Sequence, residues 1–126
     1  MGQLSKRAES ILRMQKFNRF ACPHCKEPMQ VEKDGRLQCE NRHSFDVAKQ
    51  GYVYMLAKPV NSMYSKDLFD ARHHIITSGL YDRVQQKIAE LIRVGNAKIS
   101  DTGCGEGTHL ARICAQLDGA VGVGID

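Results

Sequence analysis

Three cysteines and a histidine constrain this 126-residue chain more than any other feature. Cys22-Pro23-His24-Cys25 is followed, after thirteen residues, by Cys39-Glu40-Asn41-Arg42-His43, the pattern C-x2-C-x13-C-x3-H. Three thiolates and one imidazole complete a tetrahedral shell for zinc and leave no open position for a substrate, which makes the expected metal structural. His24, inside the first Cys-x2-Cys turn, reads as an exposed bystander. The intervening stretch carries a hairpin signal: Met29, Val31 and Leu37 flank Asp34-Gly35, a pair suited to the φ > 0 positions of a tight turn. Such a hairpin brings the two ligand pairs together.

That arrangement is a zinc ribbon. A DNA-reading finger of the Cys2His2 type would instead place a helix between its second and third ligands. The ligands bind deprotonated, so metal binding is coupled to folding and is lost in acid. A segment this short, with few large apolar residues, needs such a staple. Cys104 and Cys114 lie far downstream, and an odd total of five cysteines without a signal peptide argues against a disulfide framework.

Composition sets the remaining bounds. With 42% hydrophobic and 25% charged residues the chain is that of a globular protein. No apolar run approaches the roughly 20 residues that span a bilayer, since Tyr52-Val53-Tyr54-Met55-Leu56-Ala57 stops at Lys58. No membrane partner is expected. Lys6, Arg7, Glu9 and Arg13 leave no signal-peptide core, and Lys6 takes Met1-Gly2 outside the myristoylation pattern. The expected compartment is the cytoplasm. The net charge of +4 sits entirely in residues 1–21, where Lys6, Arg7, Arg13, Lys16 and Arg19 face Glu9 alone. A basic arm suits nucleic acid or another polyanion, and equally a solvated amphipathic helix. Leu4, Ala8, Ile11 and Leu12 have the spacing of a helix face that could dock.

Four segments follow from these patterns: a basic helical arm (1–19), a zinc-ribbon domain ending in an aromatic-rich strand (20–58), a linker with a short helix (59–79), and an α/β segment (80–126). The linker opens on the loop chemistry of Pro59-Val60-Asn61-Ser62, and its helix, from Lys66, ends near Gly79. In the last segment Leu80, Val84, Ile88, Leu91 and Ile92 line one helix face. Gly95-Asn96 ends that helix, and a strand runs from Ala97 to Asp101. A second helix carries Leu110, Ile113 and Leu117, and Ala120–Ile125 reads as a buried strand reaching Asp126.

Between the first strand and the second helix lies Asp101-Thr102-Gly103-Cys104-Gly105-Glu106-Gly107. Glycines at alternate positions permit a sharp turn and close approach of a ligand. A Walker loop would need Gly-Lys-Ser/Thr, and the dinucleotide pattern G-x-G-x-x-G is broken. Asp101 and Glu106 would repel a pyrophosphate, whereas a sulfonium and an amino group tolerate or welcome carboxylates. S-adenosylmethionine is therefore the expected cofactor, with Asp126 placed to accept hydrogen bonds from ribose hydroxyls. A tight turn without a ligand is the bland alternative. Cys104 lacks a histidine base and is not read as a nucleophile. Cys114 reads as core, and His73, His74 and His109 as helix surface.

At this point the chain resembles the bacterial large-subunit (23S) ribosomal RNA guanine-N1 methyltransferases, which join a zinc ribbon to a class I methyltransferase domain. The resemblance rests on Cys22–Cys25, Cys39–His43, Phe45-Asp46-Val47-Ala48-Lys49-Gln50-Gly51-Tyr52-Val53, Ala71-Arg72, Gly79-Leu80-Tyr81 and Asp101–Gly107. It implies a fold class of α/β: a zinc-ribbon module followed by the first βαβ unit of a Rossmann-like methyltransferase domain. It implies zinc at Cys22, Cys25, Cys39 and His43, and S-adenosylmethionine near Tyr81, Gly105, Glu106 and Asp126, with Asp101, Gly103 and Gly107 completing the loop. It further implies recognition of a 23S rRNA hairpin by the ribbon and methyl transfer to N1 of a guanine.

Three departures stand out. Residues 1–20 exceed what the family's ribbon requires. Ser100 and Thr102 replace larger apolar residues of its first strand. The chain also stops at Asp126, so it is expected to be an N-terminal fragment, inactive alone, with no nominable catalytic base. An unpaired sheet edge there is a liability for aggregation or for pairing with another chain, and admits a homodimer. Two other readings stay open: a zinc-ribbon RNA-binding module with a vestigial cofactor loop, and a small-molecule methyltransferase that keeps the ribbon for stability.

Overall fold

The structure of the chain, a computed structural model, describes residues 2–56 and 65–126. The loop expected at Pro59–Ser62 and the expected boundary at 58/59 lie outside the described residues. Two units divide the chain, Met1–Pro59 and Val60–Asp126.

The first unit opens with helix α1, Lys6–Phe17. Ser5 caps it by accepting from the Ala8 N–H, and Asn18 ends it in the left-handed conformation that asparagine tolerates. Expectation and structure differ over which face docks. Leu4 and Leu12 are exposed, while Ile11 and Phe17 are buried. The cause is Arg7, whose Nε donates to the Val47 carbonyl at 2.8 Å and whose Nη2 donates to the Asp34 carbonyl at 2.7 Å. These two bonds fix the helix rotation, so that positions 7, 11 and 14 share the inner face.

Against that face lies a four-stranded antiparallel sheet of β1 (Phe20–Ala21), β2 (Pro28–Val31), β3 (Arg36–Cys39) and β4 (Ser44–Asp46), paired in sequence order. Met29 stands opposite Cys39, and Leu37 opposite Phe45. The core is Ile11, Cys22, Met29, Leu37, Cys39 and Val47, with Met14 and Phe20 packed on it.

The expected hairpin forms with a different turn. Only Gly35, at φ 91°, is left-handed. The Gly35 N–H donates to the Glu32 carbonyl at 3.0 Å, and the Glu32 N–H to the Arg36 carbonyl at 2.8 Å. This is a three-residue loop with glycine at its left-handed end. Asp34 instead uses its carboxylate to accept from the Arg36 N–H. Gly35 also admits α1, because a Cβ there would meet the Ile11 side chain at 2.9 Å.

The aromatic strand expected within residues 52–57 is reduced, over the described part, to a single bridge between Val47 and Val53. A turn through Gly51, at φ 99°, folds that segment back and leaves Tyr52 and Tyr54 exposed.

In the second unit, Ser65 caps α2 (Lys66–Thr77), which is followed by α3 (Asp82–Leu91), β5 (Lys98–Thr102), α4 (Thr108–Ala115) and β6 (Val121–Ile125). Strands β5 and β6 pair in parallel, from Lys98 opposite Val121 to Thr102 opposite Ile125. Helix α4 packs on β6, where a Cβ at Gly122 would meet Leu110 at 3.0 Å and the Cys114 Sγ at 2.8 Å. Ser100 and Thr102 lie on the more exposed face of β5, away from Ile99 and Asp101, so their polarity does not prevent the strand.

The burial of α3 is opposite to the expectation. Gln85, at 2% exposure, and Ala89 face inward, while Val84 (55%), Ile88 (40%) and Leu91 (65%) face outward. Polar pairing orients this helix: Gln85 Nε2 lies 2.9 Å from His109 Nδ1, and Asp82 accepts from Arg112 at 3.1 Å. Among the described residues no helix is long and apolar enough to cross a membrane.

Candidate metal centre and glycine loop

Cys22, Cys25, Cys39 and His43 converge, with their four ligand atoms all within 4.8 Å of one another. Two turns, each ending on a left-handed residue, bring them there. In the first, the Lys26 N–H closes on the Cys22 carbonyl at 2.8 Å, with Lys26 left-handed at φ 66°. In the second, the Arg42 N–H closes on the Cys39 carbonyl at 3.0 Å, with Arg42 at φ 67°. The pairing of β2 with β3 then sets the turns side by side.

The spacing suits zinc. Zn–S bonds of about 2.3 Å and Zn–N bonds of about 2.0 Å give tetrahedral edges of about 3.8 Å (S to S) and about 3.5 Å (S to N). The corresponding separations are 3.7 Å between Cys25 and Cys39 Sγ, 3.4 Å from Cys22 Sγ to His43 Nδ1, and 3.5 Å from Cys39 Sγ to His43 Nδ1. Nδ1 is therefore the ring nitrogen turned inward. Hydrogen bonds from the Asn41 side chain, then from the Glu27 backbone, lower the Cys25 thiol to about 6, whereas burial raises Cys39. Asn41 was not foreseen; its one signal is its place within the second turn. His24 is exposed and outside the cluster, yet its ring lies 5.1 Å from that of His43 and stacks on Phe45 at 5.8 Å.

The glycine loop leaves the end of β5 and is laced to β6. The Ile125 carbonyl accepts from the N–H groups of Gly103 at 2.6 Å and Cys104 at 3.1 Å. Gly103, Gly105 and Gly107 all have positive φ, and a Cβ on any of them would meet nothing within 4 Å. Their backbone therefore borders open space, as a cradle for a ligand requires. Cys104 turns the other way and packs on Gly124. Burial, followed by the charges of Asp126 and Asp101 and then Glu106, raises its thiol pKa, which makes it a poor nucleophile. The negative charge of these three carboxylates suits a cation near the loop better than a phosphate.

Two residues expected near a cofactor are held by histidines. Glu106 accepts from the Thr108 N–H at 3.0 Å and from the Thr108 hydroxyl, and its Oε2 lies 3.1 Å from His73 Nδ1. Burial works against its ionisation, but the Thr108 and His73 bonds prevail and hold the carboxyl below its ordinary range. Tyr81 meets His109 edge-on, with centroids 5.0 Å apart and planes at 88°. His73 thus lies on the exposed surface of α2, as expected, but is paired there, whereas His109 is half-buried between Gln85 and Tyr81. Gln85 lies one turn beyond Tyr81, a spacing that could have drawn attention to the pair. Asp126, exposed, follows β6 directly.

Residues 20–66 match the family model described as "RlmA, N-terminal", a zinc ribbon. Over 120 residues the chain is 40% identical to a Bacillus subtilis (strain 168) protein provisionally named a 23S rRNA (guanine-N(1)-)-methyltransferase, an alignment covering 87% of this chain and 43% of that protein. It is 36% identical over 111 residues to the 23S rRNA (guanine(748)-N(1))-methyltransferase of Streptomyces fradiae, covering 83% of this chain and 39% of the relative. The chain thus spans about two fifths of the length of the curated relatives it matches.

Proposed function

The chain belongs to the family of 23S rRNA (guanine-N1)-methyltransferases, and on that premise we propose that its protein transfers a methyl group from S-adenosylmethionine to N1 of a guanine in a 23S rRNA hairpin. The observation that carries this reading is the coexistence, in one chain and in that order, of the Cys3His cluster and the open, acid-ringed glycine loop. The alignments with the relatives run across both.

In this reading zinc is held by Cys22, Cys25, Cys39 and His43 and braces the ribbon that meets the RNA. The β5–α4–β6 unit is the start of a class I, Rossmann-like sheet. S-adenosylmethionine supplies an electrophilic sulfonium methyl when bound. The backbone of Gly103, Gly105 and Gly107 makes room for its methionine end, and Asp101 and Glu106 offer negative charge to cationic groups. Asp126 faces the ribose, and Tyr81 borders the site. N1 of a paired guanine is inaccessible, so the target base must be unpaired or flipped out. The site of action is the cytoplasm, where the ribosome is assembled. The 126 residues alone, spanning two fifths of the relatives' length, transfer no methyl group.

The test is transfer of labelled methyl from S-adenosylmethionine to 23S rRNA, comparing this chain with a form extended to the relatives' length. Label on guanine N1 with the long form alone is the expected result. Label on another base overturns the substrate, and transfer by the short chain overturns its inactivity. One observation favours the alternative of an RNA-binding module with a vestigial loop: the Glu106 carboxylate is already engaged by Thr108 and His73. Calorimetric binding of S-adenosylmethionine to the long form would exclude it.

A further inference from the structure

A shallow groove of about 420 Å³ runs along the outer edge of the ribbon, between the end of α1 and the first Cys-x2-Cys turn. Its walls include Asn18, Arg19, Phe20, Lys26, Pro28 and Gln30. It lies on β1, the edge strand of the sheet, so part of its floor is backbone with no neighbouring strand. One wall opens at the C-terminal end of α1, where Asn18 and Arg19 leave the helix. Most of the groove's residues fall within the matched ribbon, but Asn18 and Arg19 precede residue 20, where that match begins.

Two cations line this groove, and both remain electrically uncompensated. Arg19 Nη1 donates to the Asn18 carbonyl at 3.2 Å, and Lys26 Nζ to the Pro23 carbonyl at 3.1 Å. Neither forms an ion pair with a described residue. Lys26 is moreover left-handed at φ 66°, a conformation that favours glycine. A lysine there brings a charge to the groove where backbone geometry alone would select no side chain. The amides of Asn18 and Gln30 in the same lining offer donors and acceptors, and Phe20 presents a half-buried ring 5.4 Å from Phe17. Paired positive charge for phosphates, amides for base edges and an aromatic ring for stacking are the elements of a single-stranded RNA site.

We propose that this groove holds a single-stranded segment of the RNA substrate, with Arg19 and Lys26 each contacting a backbone phosphate. The proposal rests on the RNA reading above and adds to it the face of the ribbon that the RNA meets. The test uses the zinc-loaded chain and a 23S rRNA hairpin with an unpaired loop, titrated over a range of salt concentrations. Lys26→Gly suits the left-handed backbone, so it removes the charge without loss of folding, and Arg19→Gln removes the second. Lys33→Gln, at the far tip of the hairpin, is the control.

The double variant is expected to bind more weakly, with a log–log salt slope shallower by about 1.4, or about 0.7 for each phosphate no longer neutralised. The control is expected to match the parent. Unchanged affinity in the double variant, or weaker affinity with an unchanged slope, overturns the groove while leaving the RNA reading intact. Failure of the parent chain to bind the hairpin at all also overturns the groove, while the methyl-transfer reading stands or falls with the labelled-methyl test of the extended form.

Discussion

Cys104 lies directly over Gly124: a Cβ at position 124 would come within 2.9 Å of the Cys104 Cβ. The contact joins the glycine loop to the strand beside it and fixes how deep the loop sits. Gly124→Ala should therefore lift the loop, costing about 1–3 kcal/mol as overpacking does. Chemical denaturation of the variant and its parent checks this, and equal midpoints would show that the loop yields freely.

Zinc removal should unfold the ribbon while leaving the second unit in place. The core of the first unit includes two of the ligand residues, Cys22 and Cys39, so without metal those thiols have little to pack around. Structural zinc sites contribute on the order of 10 kcal/mol of folding free energy. A chelator titration followed by amide NMR should collapse signals from residues 20–56 and spare those of β5, α4 and β6.

Arg7→Ala should loosen α1. It removes two bonds to backbone carbonyls, at Val47 and Asp34, and charge-assisted bonds of this kind contribute about 1.5–3 kcal/mol each before solvent exposure is discounted. A loss of about 2 kcal/mol is expected on that basis. Arg7→Lys should not restore it, since one ammonium cannot reproduce the planar fork that serves both carbonyls. Thermal melts of the three zinc-loaded proteins, with hydrogen exchange along α1, measure the effect.

Glu106 gives the second unit a pH dependence of defined sign. Burial opposes its ionisation, but the bonds from Thr108 and His73 hold its folded pKa below the ordinary carboxylate range. The stabilisation is therefore complete above the ordinary range and is lost as pH falls through the depressed value. Glu106→Gln should cost about 1 kcal/mol at neutral pH and progressively less in acid. Urea denaturation of both proteins across that range checks the convergence.

The elements that could be read from sequence were those with local causes. The cysteine spacing announced the two metal-site turns, and alternate glycines between a strand and a helix announced the loop. Which face of α3 turns inward was not legible. Periodicity shows that Val84, Ile88 and Leu91 share a stripe, but not that His109 on α4 draws Gln85 inward instead, with Arg112 holding Asp82 at the surface beside it. The Tyr52–Tyr54 segment misled for a related reason: β-propensity was present, but the turn at Gly51 leaves it a single bridge. Lys26 and Arg42 adopt a glycine-like conformation without being glycine, so no residue type marked them. At the candidate cofactor site the loop was visible, whereas the histidines that hold Tyr81 and Glu106 come from a helix partner and from α2, which sequence order does not reveal.

The order of strands in the ribbon has a bearing on synthesis. Each of β1 to β4 pairs only with its neighbour in sequence, so every closure spans a short loop and costs little chain entropy. The parallel pairing of β5 with β6 must instead wait for α4 to cross between them. On a translating ribosome the ribbon can therefore capture its metal and mature while the downstream half is still being made.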